Sequence, residues 1–185
     1  QVALSLFILG ALIITALNSM ILFFLRPKNS IPVLFACVCM LLFLREFTLE
    51  HMSPFLPAII HGFESITLLN FFSYYAIIPT SLYFYHLNFR RVFHTRFCRL
   101  VYLVCVVFVV FILFFPTRYF GMSLVVFNVF ALIVMLYMLQ RTWVAMNKKL
   151  KGAAIMLLGS LIAFLFAVND IFNANGLIST GRFFS

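Results

Sequence analysis

The side chains of this 185-residue sequence that are able to do chemistry are few, and they are grouped. Arg45, Glu46, Glu50, His51, His61, Glu64, Asn169, Asp170 and Asn173 all lie beside the ends of long apolar runs, and Arg118 sits in a short gap between two more. An ionised Asp at the centre of a bilayer costs about 2.5–3.5 kcal/mol on insertion scales, and less toward the interface. Asp170 stands near the far end of the apolar run that begins after Gly152, where the charge is tolerable but needs a partner or water. An exchange of pairing, Arg45 or Arg118 with Asp170 or Glu64, is chemistry that a signal is able to drive. Arg45, Glu46, His61, Glu64, Arg118, Asn169 and Asp170 are therefore the candidate ligand-binding or signal-coupling residues. Static pairing between helices, with ordinary solvation at the interface, accounts for the same residues and stays open beside the functional reading.

Other chemistries find less support. His61 and Glu64 are three apart on one helical face, but two ligands do not make a metal site. His61 and His86 fall at opposite leaflets, as in a two-haem arrangement; the second axial ligands would have to come from His51 and His94, both in loops. No metal and no cofactor is expected. The sequence contains no GxSxG, HExxH, P-loop or kinase motif, and nothing assembles a nucleophile, a base and an oxyanion hole. The segment is not expected to be an enzyme. Cys37, Cys39, Cys98 and Cys105 fall inside apolar runs without zinc spacing, so they read as packed or lipid-facing thiols.

The elements that must position these residues follow from composition. The chain is 65% hydrophobic and 9% charged, with a mean hydropathy of +1.17. Soluble domains carry about a quarter charged residues, so this chain reads as an integral membrane protein. Its net charge of +9 does not indicate nucleic acid, because the cations occupy short gaps between apolar runs. The 26 Phe suit lipid-facing helices. Tyr137 and Trp143 read as interfacial anchors. Val2–Leu25 is too long for the core of a signal peptide, and its cations Arg26 and Lys28 follow it.

Six transmembrane helices are expected, at 2–25, 31–49, 63–87, 98–115, 122–139 and 153–172, in one all-α domain over 1–185. Pro79 predicts a kink in the third. Ala11, Thr15 and Ser19 form a stripe of small residues in the first helix. Gly159, Ala163 and Ala167 form another in the sixth, along which a neighbouring helix is expected to approach closely. Asp170 continues that second stripe and is expected to point into the bundle. Arg26, Lys28, Arg90, Arg91, Arg96, Arg99, Arg141, Lys148, Lys149 and Lys151 flank one set of helix ends, leaving Arg45, Arg118 and Arg182 for the other. All four acids are on the cation-poor side. The positive-inside rule then puts the N-terminus outside and the basic loops in the cytoplasm. The basic gaps read first as topology determinants, with anionic lipid or a cytoplasmic partner as further uses. The sequence reads as an excerpt of a longer protein, with a seventh helix to follow.

Leu44-Arg45-Glu46, an opening helix containing Gly10 and ending in a short basic turn, and Ala167-Val-Asn169-Asp170-Ile171 followed by Gly176-Leu177-Ile178 and Gly181 carry a resemblance. On these the chain resembles the bacterial seven-transmembrane receptors with diverse intracellular signalling modules. The resemblance implies a seven-helix bundle in the inner membrane, preceded by a β-rich extracytoplasmic sensing domain. It also implies a following cytoplasmic output, a diguanylate cyclase or histidine kinase, and receptors of that kind act as homodimers. The function implied is the relay of an outside event to that output. A small-molecule transporter or permease subunit is the alternative; it needs a midplane polar site, for which Asn70, Ser73 and Asn128 are the available residues.

Overall fold

A computed structural model describes residues 2–26, 30–48, 63–115 and 120–174, with side chains over 6–26, 30–48, 66–115 and 120–169. Every regular element among them is an α-helix: α1 (Val2–Leu25), α2 (Ile31–Thr48), α3 (Phe63–Asn88), α4 (Thr95–Phe114), α5 (Phe120–Asn147) and α6 (Ala153–Ala174). Consecutive helices pack side by side, and α3 also packs on α5. The result is an up-and-down helical membrane bundle, as the hydropathy pattern predicts.

The helices form where apolar runs are long enough to satisfy their own backbone in lipid. Leu6–Leu25, Ile31–Thr48, Thr95–Phe114 and Phe120–Asn147 are long and apolar enough to cross a bilayer, and Ala153–Asn169 is a shorter apolar helix. α3 is more polar, carrying Asn70, Ser73, Tyr74, Tyr75 and Thr80 along its 26 residues. It sits where that polarity has partners, between α2 on one side and α4 and α5 on the other. Pro32 occupies the first turn of α2, where a missing N–H costs little. Pro79 lies inside α3, and the helix runs on through it to Asn88. Beside it the Thr80 hydroxyl donates to the Ala76 carbonyl at 2.7 Å.

Two boundaries differ from the sequence reading by more than two residues. α4 begins at Thr95, one turn before Cys98. α5 continues from Leu139 to Asn147, so much of the basic stretch after Gln140 is helical. Thr142 and Ala145, both fully buried, continue the packed face of α5 through Phe127, Ala131, Val134 and Met138, and this burial holds the extension in place.

The core lies among α3, α4 and α5, where Tyr75, Leu82, Val101, Cys105, Ile112, Phe127 and Val134 form one buried cluster. A smaller contact joins Leu9 of α1 to Phe43 and Phe47 of α2 and Ile66 of α3. The outward faces are almost wholly apolar; Phe7, Leu103, Phe114, Met122 and Ile155 are each at least 66% exposed. In water such a surface would drive aggregation, whereas lipid is its good solvent. The thiols divide as their positions imply, with Cys39, Cys98 and Cys105 buried, Cys37 facing outward, and all four free.

The stripes of small residues fall only partly on faces that meet another described helix. On α1 the buried positions are Leu9, Ala16 and Ser19, so Ser19 is on the packed face. Ala11 and Thr15 face outward, and the Thr15 hydroxyl bonds the Ala11 carbonyl of its own helix. Among the described side chains of α6 the buried positions are Ala153 and Ser160. Gly159 and Ala163 are exposed and only Ala167 is half-buried, so this stripe is not the surface that meets α5. A Cβ added at Gly159 would touch nothing within 4 Å. Ser160 follows Gly159 by one residue, a turn of about 100° around the helix, which is enough to place the two on different faces.

Candidate functional site

At the acid-bearing end, three helices meet through polar side chains. Arg45, in the last turn of α2, lies over the ring of Tyr74 on α3, with 4.6 Å from the guanidinium carbon to the ring centroid. The Tyr74 hydroxyl donates to Asn128 Oδ1 of α5 at 2.6 Å. One residue along, the fully buried Tyr75 hydroxyl lies 2.7 Å from Ser123 Oγ. Ser123 Oγ donates to the Phe120 carbonyl at 2.8 Å, so Tyr75 is the donor to Ser123. The polar links run through an aromatic packing unit, with Phe127 4.4 Å from Tyr75 and 5.4 Å from Tyr74, ring centre to ring centre, and Phe71 5.1 Å from Phe120.

Each contact has a local cause. A guanidinium near the end of a membrane helix has its stem in the apolar layer and its charge where a π face is a usable partner. A phenol buried in lipid must give its proton to something, and Asn128 and Ser123 are the acceptors that α5 offers. The hydroxyls of Thr48 and Ser73 turn back onto their own helices, toward the carbonyls of Leu44 and Arg45 and of Asn70.

Of the residues singled out in the sequence, Arg45 and the mid-helix Asn128 are in this cluster. Glu46 is half-buried beside it on α2, and Asn169 is half-buried late in α6. Glu64 falls in the first turn of α3 and Asp170 in α6, but their side chains lie outside the described residues, as do His61 and Arg118 altogether. The pairing of Arg45 or Arg118 with Asp170 or Glu64, and the inward aim of Asp170, therefore fall outside what is described.

Tyr74, Tyr75 and Ser123 escaped the sequence reading. Their signal was present as two adjacent phenols in the interior of the least apolar helix. What could not be read was which helix faced them.

The opposite, basic end is held as firmly. The α3–α4 turn tucks Phe89, Val92 and Phe93 inward. Tyr137 of α5 receives the His94 backbone N–H on its hydroxyl at 3.0 Å. Its ring lies 4.0 Å from that of Phe97 and 5.8 Å from that of Phe93, and the Arg141 guanidinium sits 5.3 Å from its centre. Tyr137 is thus a packed clamp rather than a headgroup anchor, while Trp143 is exposed in the anchoring manner. Tyr85 reaches the Met156 carbonyl of α6 at 3.3 Å. His86 Nδ1 and Cys98 Sγ are 3.8 Å apart, and no group of three metal-ligating side chains occurs among the described residues.

The arrangement ties α2, α3, α4 and α5 together through polar and aromatic contacts at both ends of the bundle. α5 is bonded to α3 near one end through Asn128 and Ser123 and held to the α3–α4 turn toward the other through Tyr137. Arg45 of α2 thus meets Tyr74 of α3, and Tyr74 is bonded to Asn128 of α5. Comparison with known proteins agrees in kind. No curated protein and no solved structure matches the chain. A family model described as 7TM diverse intracellular signalling matches residues 1–185. With a multi-pass helical membrane bundle and a match over its full length, this chain belongs to the 7TM diverse intracellular signalling family.

Proposed function

We propose that the chain is the membrane module of a bacterial sensor, relaying an extracytoplasmic event to a cytoplasmic output domain of the diguanylate cyclase or histidine kinase type. The observation that carries the proposal is the family match across all 185 residues. The charge asymmetry supports an inner-membrane placement with the basic turns in the cytoplasm and the N-terminus outside. The bundle itself relays and does no chemistry; any catalysis belongs to the output. Relay requires two packings that differ by a few kcal/mol, each favoured by one state of the signal. The Arg45–Tyr74–Asn128 connection supplies a contact that such a change would make or break. Glu46, His61, Glu64, Arg118, Asn169 and Asp170 are proposed to line the signal-coupling face around it.

The test is signalling by the full-length receptor in a reporter strain. Tyr74→Phe, Asn128→Leu and Asp170→Asn are expected to shift the dose–response or basal output at unchanged membrane levels. Unaltered responses in all three would sink the coupling role. The transporter reading draws on the same mid-helix polar residues. Tyr74 is bonded to Asn128 and Tyr75 to Ser123, which argues against a vacant substrate site there. Solute uptake by reconstituted proteoliposomes would revive that reading.

A further inference from the structure

The basic end holds a surface that the relay does not use. Arg96 and Arg99 are both exposed in the first turns of α4. Leu103, Val106, Val110 and Phe114 follow them at helical spacing on the same face, between 45% and 80% exposed. One face of one helix therefore carries two guanidiniums at its head and an open apolar track below them about 22 Å long, at 1.5 Å per residue from Arg99 to Phe114. That is the shape and chemistry of a phospholipid, with an anionic headgroup above acyl chains.

The head of this strip is built on fixed backbone. Val92 and Phe93 bond back to the Phe89 carbonyl at 2.9 and 3.2 Å, and the Tyr137 hydroxyl holds the N–H of His94. Arg90 and Arg91 project outward between the buried Phe89 and Val92, next to the same headgroup level. Among the described residues no acidic side chain lies at this end, and Glu46 stands near the opposite end of α2. The described residues supply no countercharge to these guanidiniums. An acidic protein would match the guanidiniums but has no use for the apolar track directly beneath them; a lipid matches both.

We infer that the α4 face from Arg96 and Arg99 to Phe114 is a docking site for an anionic diacyl phospholipid, whose phosphate the two guanidiniums engage. The site discriminates anionic from zwitterionic headgroups, because the cations meet uncompensated phosphate charge only in the former. Near a membrane each cation contributes roughly fivefold to affinity for an anionic lipid, so losing both is expected to cost on the order of 25-fold.

The experiment is native mass spectrometry of the full-length protein released from bilayers of phosphatidylcholine with phosphatidylglycerol. The wild type is expected to retain phosphatidylglycerol in preference to phosphatidylcholine. Arg96→Gln/Arg99→Gln is expected to lose that preference, and Arg96→Lys/Arg99→Lys to keep part of it. Lys148→Gln/Lys151→Gln, which removes as much charge from the neighbouring turn, is expected to keep it. Equal retention of the two lipids by the wild type would overturn the site. So would equal loss in the two glutamine pairs, since net charge alone would then explain the binding. Displacement of the lipid by soluble glycerol phosphate would mean a phosphate site without lipid character, and a lipid-free dimer would put a second copy on this face; either result overturns the inference.

Discussion

Tyr74 makes two contacts at once, offering its ring to the Arg45 guanidinium and its hydroxyl proton to Asn128. Removing the hydroxyl leaves the first contact and deletes the second, so Tyr74→Phe separates them. Hydrogen bonds between membrane helices average about 0.6 kcal/mol and reach about 1.7. Tyr74→Phe is expected toward the upper figure, because Asn128 loses the proton its carbonyl oxygen accepts. Tyr75→Phe is expected toward the lower, because Ser123 keeps its bond to the Phe120 carbonyl. Unfolding both variants in detergent micelles checks the order, and a larger loss for Tyr75→Phe would contradict it. Asn128 stood out in the sequence as a polar residue inside an apolar run, whereas the phenols and Ser123 were passed over. The pairing was not legible, because Asn128 and Ser123 stand 54 and 48 positions away from Tyr74 and Tyr75 and only folding brings them opposite.

Among the elements, α5 depends most on its ends. It stops at Asn147 in a turn that needs a left-handed residue, and Lys149 fills that place with φ 53°. The Leu150 N–H bonds the Ala145 carbonyl at 3.2 Å and the Lys149 N–H bonds that of Met146 at 2.8 Å, the pair of bonds that closes a helix on a left-handed residue. A lysine there carries a backbone penalty that glycine does not, so Lys149→Gly is expected to stabilise by about 1 kcal/mol. Gly152, at φ 77°, is the reverse case, and Gly152→Ala is expected to destabilise by a similar amount. Thermal unfolding of the two variants should move in opposite directions. The same helix clamps the α3–α4 turn through Tyr137. Tyr137→Phe keeps the ring stack on Phe97 but removes the acceptor of the His94 N–H. Faster tryptic cleavage at Arg90 and Arg91 is the expected result, and an unchanged cleavage rate would show that the rings alone hold the turn.

At the scale of the whole molecule, the charge asymmetry makes a prediction about orientation. The native thiols all lie within the helices, at positions 37, 39, 98 and 105. A membrane-impermeant maleimide should therefore leave this segment unlabelled in intact cells stripped of their outer membrane. Arg91→Cys is expected to react only after the membrane is opened, and labelling from the outside would reverse the proposed topology.

Composition and hydropathy by themselves determined the helical class and the membrane setting, because a bilayer imposes one length and one polarity rule on every segment that crosses it. The end of α5 escaped them, since a basic stretch reads as loop until a partner surface buries Thr142 and Ala145. The rotation of each helix about its axis was likewise decided only by tertiary structure. Helix faces in lipid have little hydrophobic contrast, as both the packed and the outward sides are apolar, so no periodic pattern marks the inner one. That is why Gly159 and Ala163 turned out to face outward, why Tyr137 proved a clamp, and why the connection from Arg45 through Tyr74 to Asn128 emerged only when three helices were set side by side.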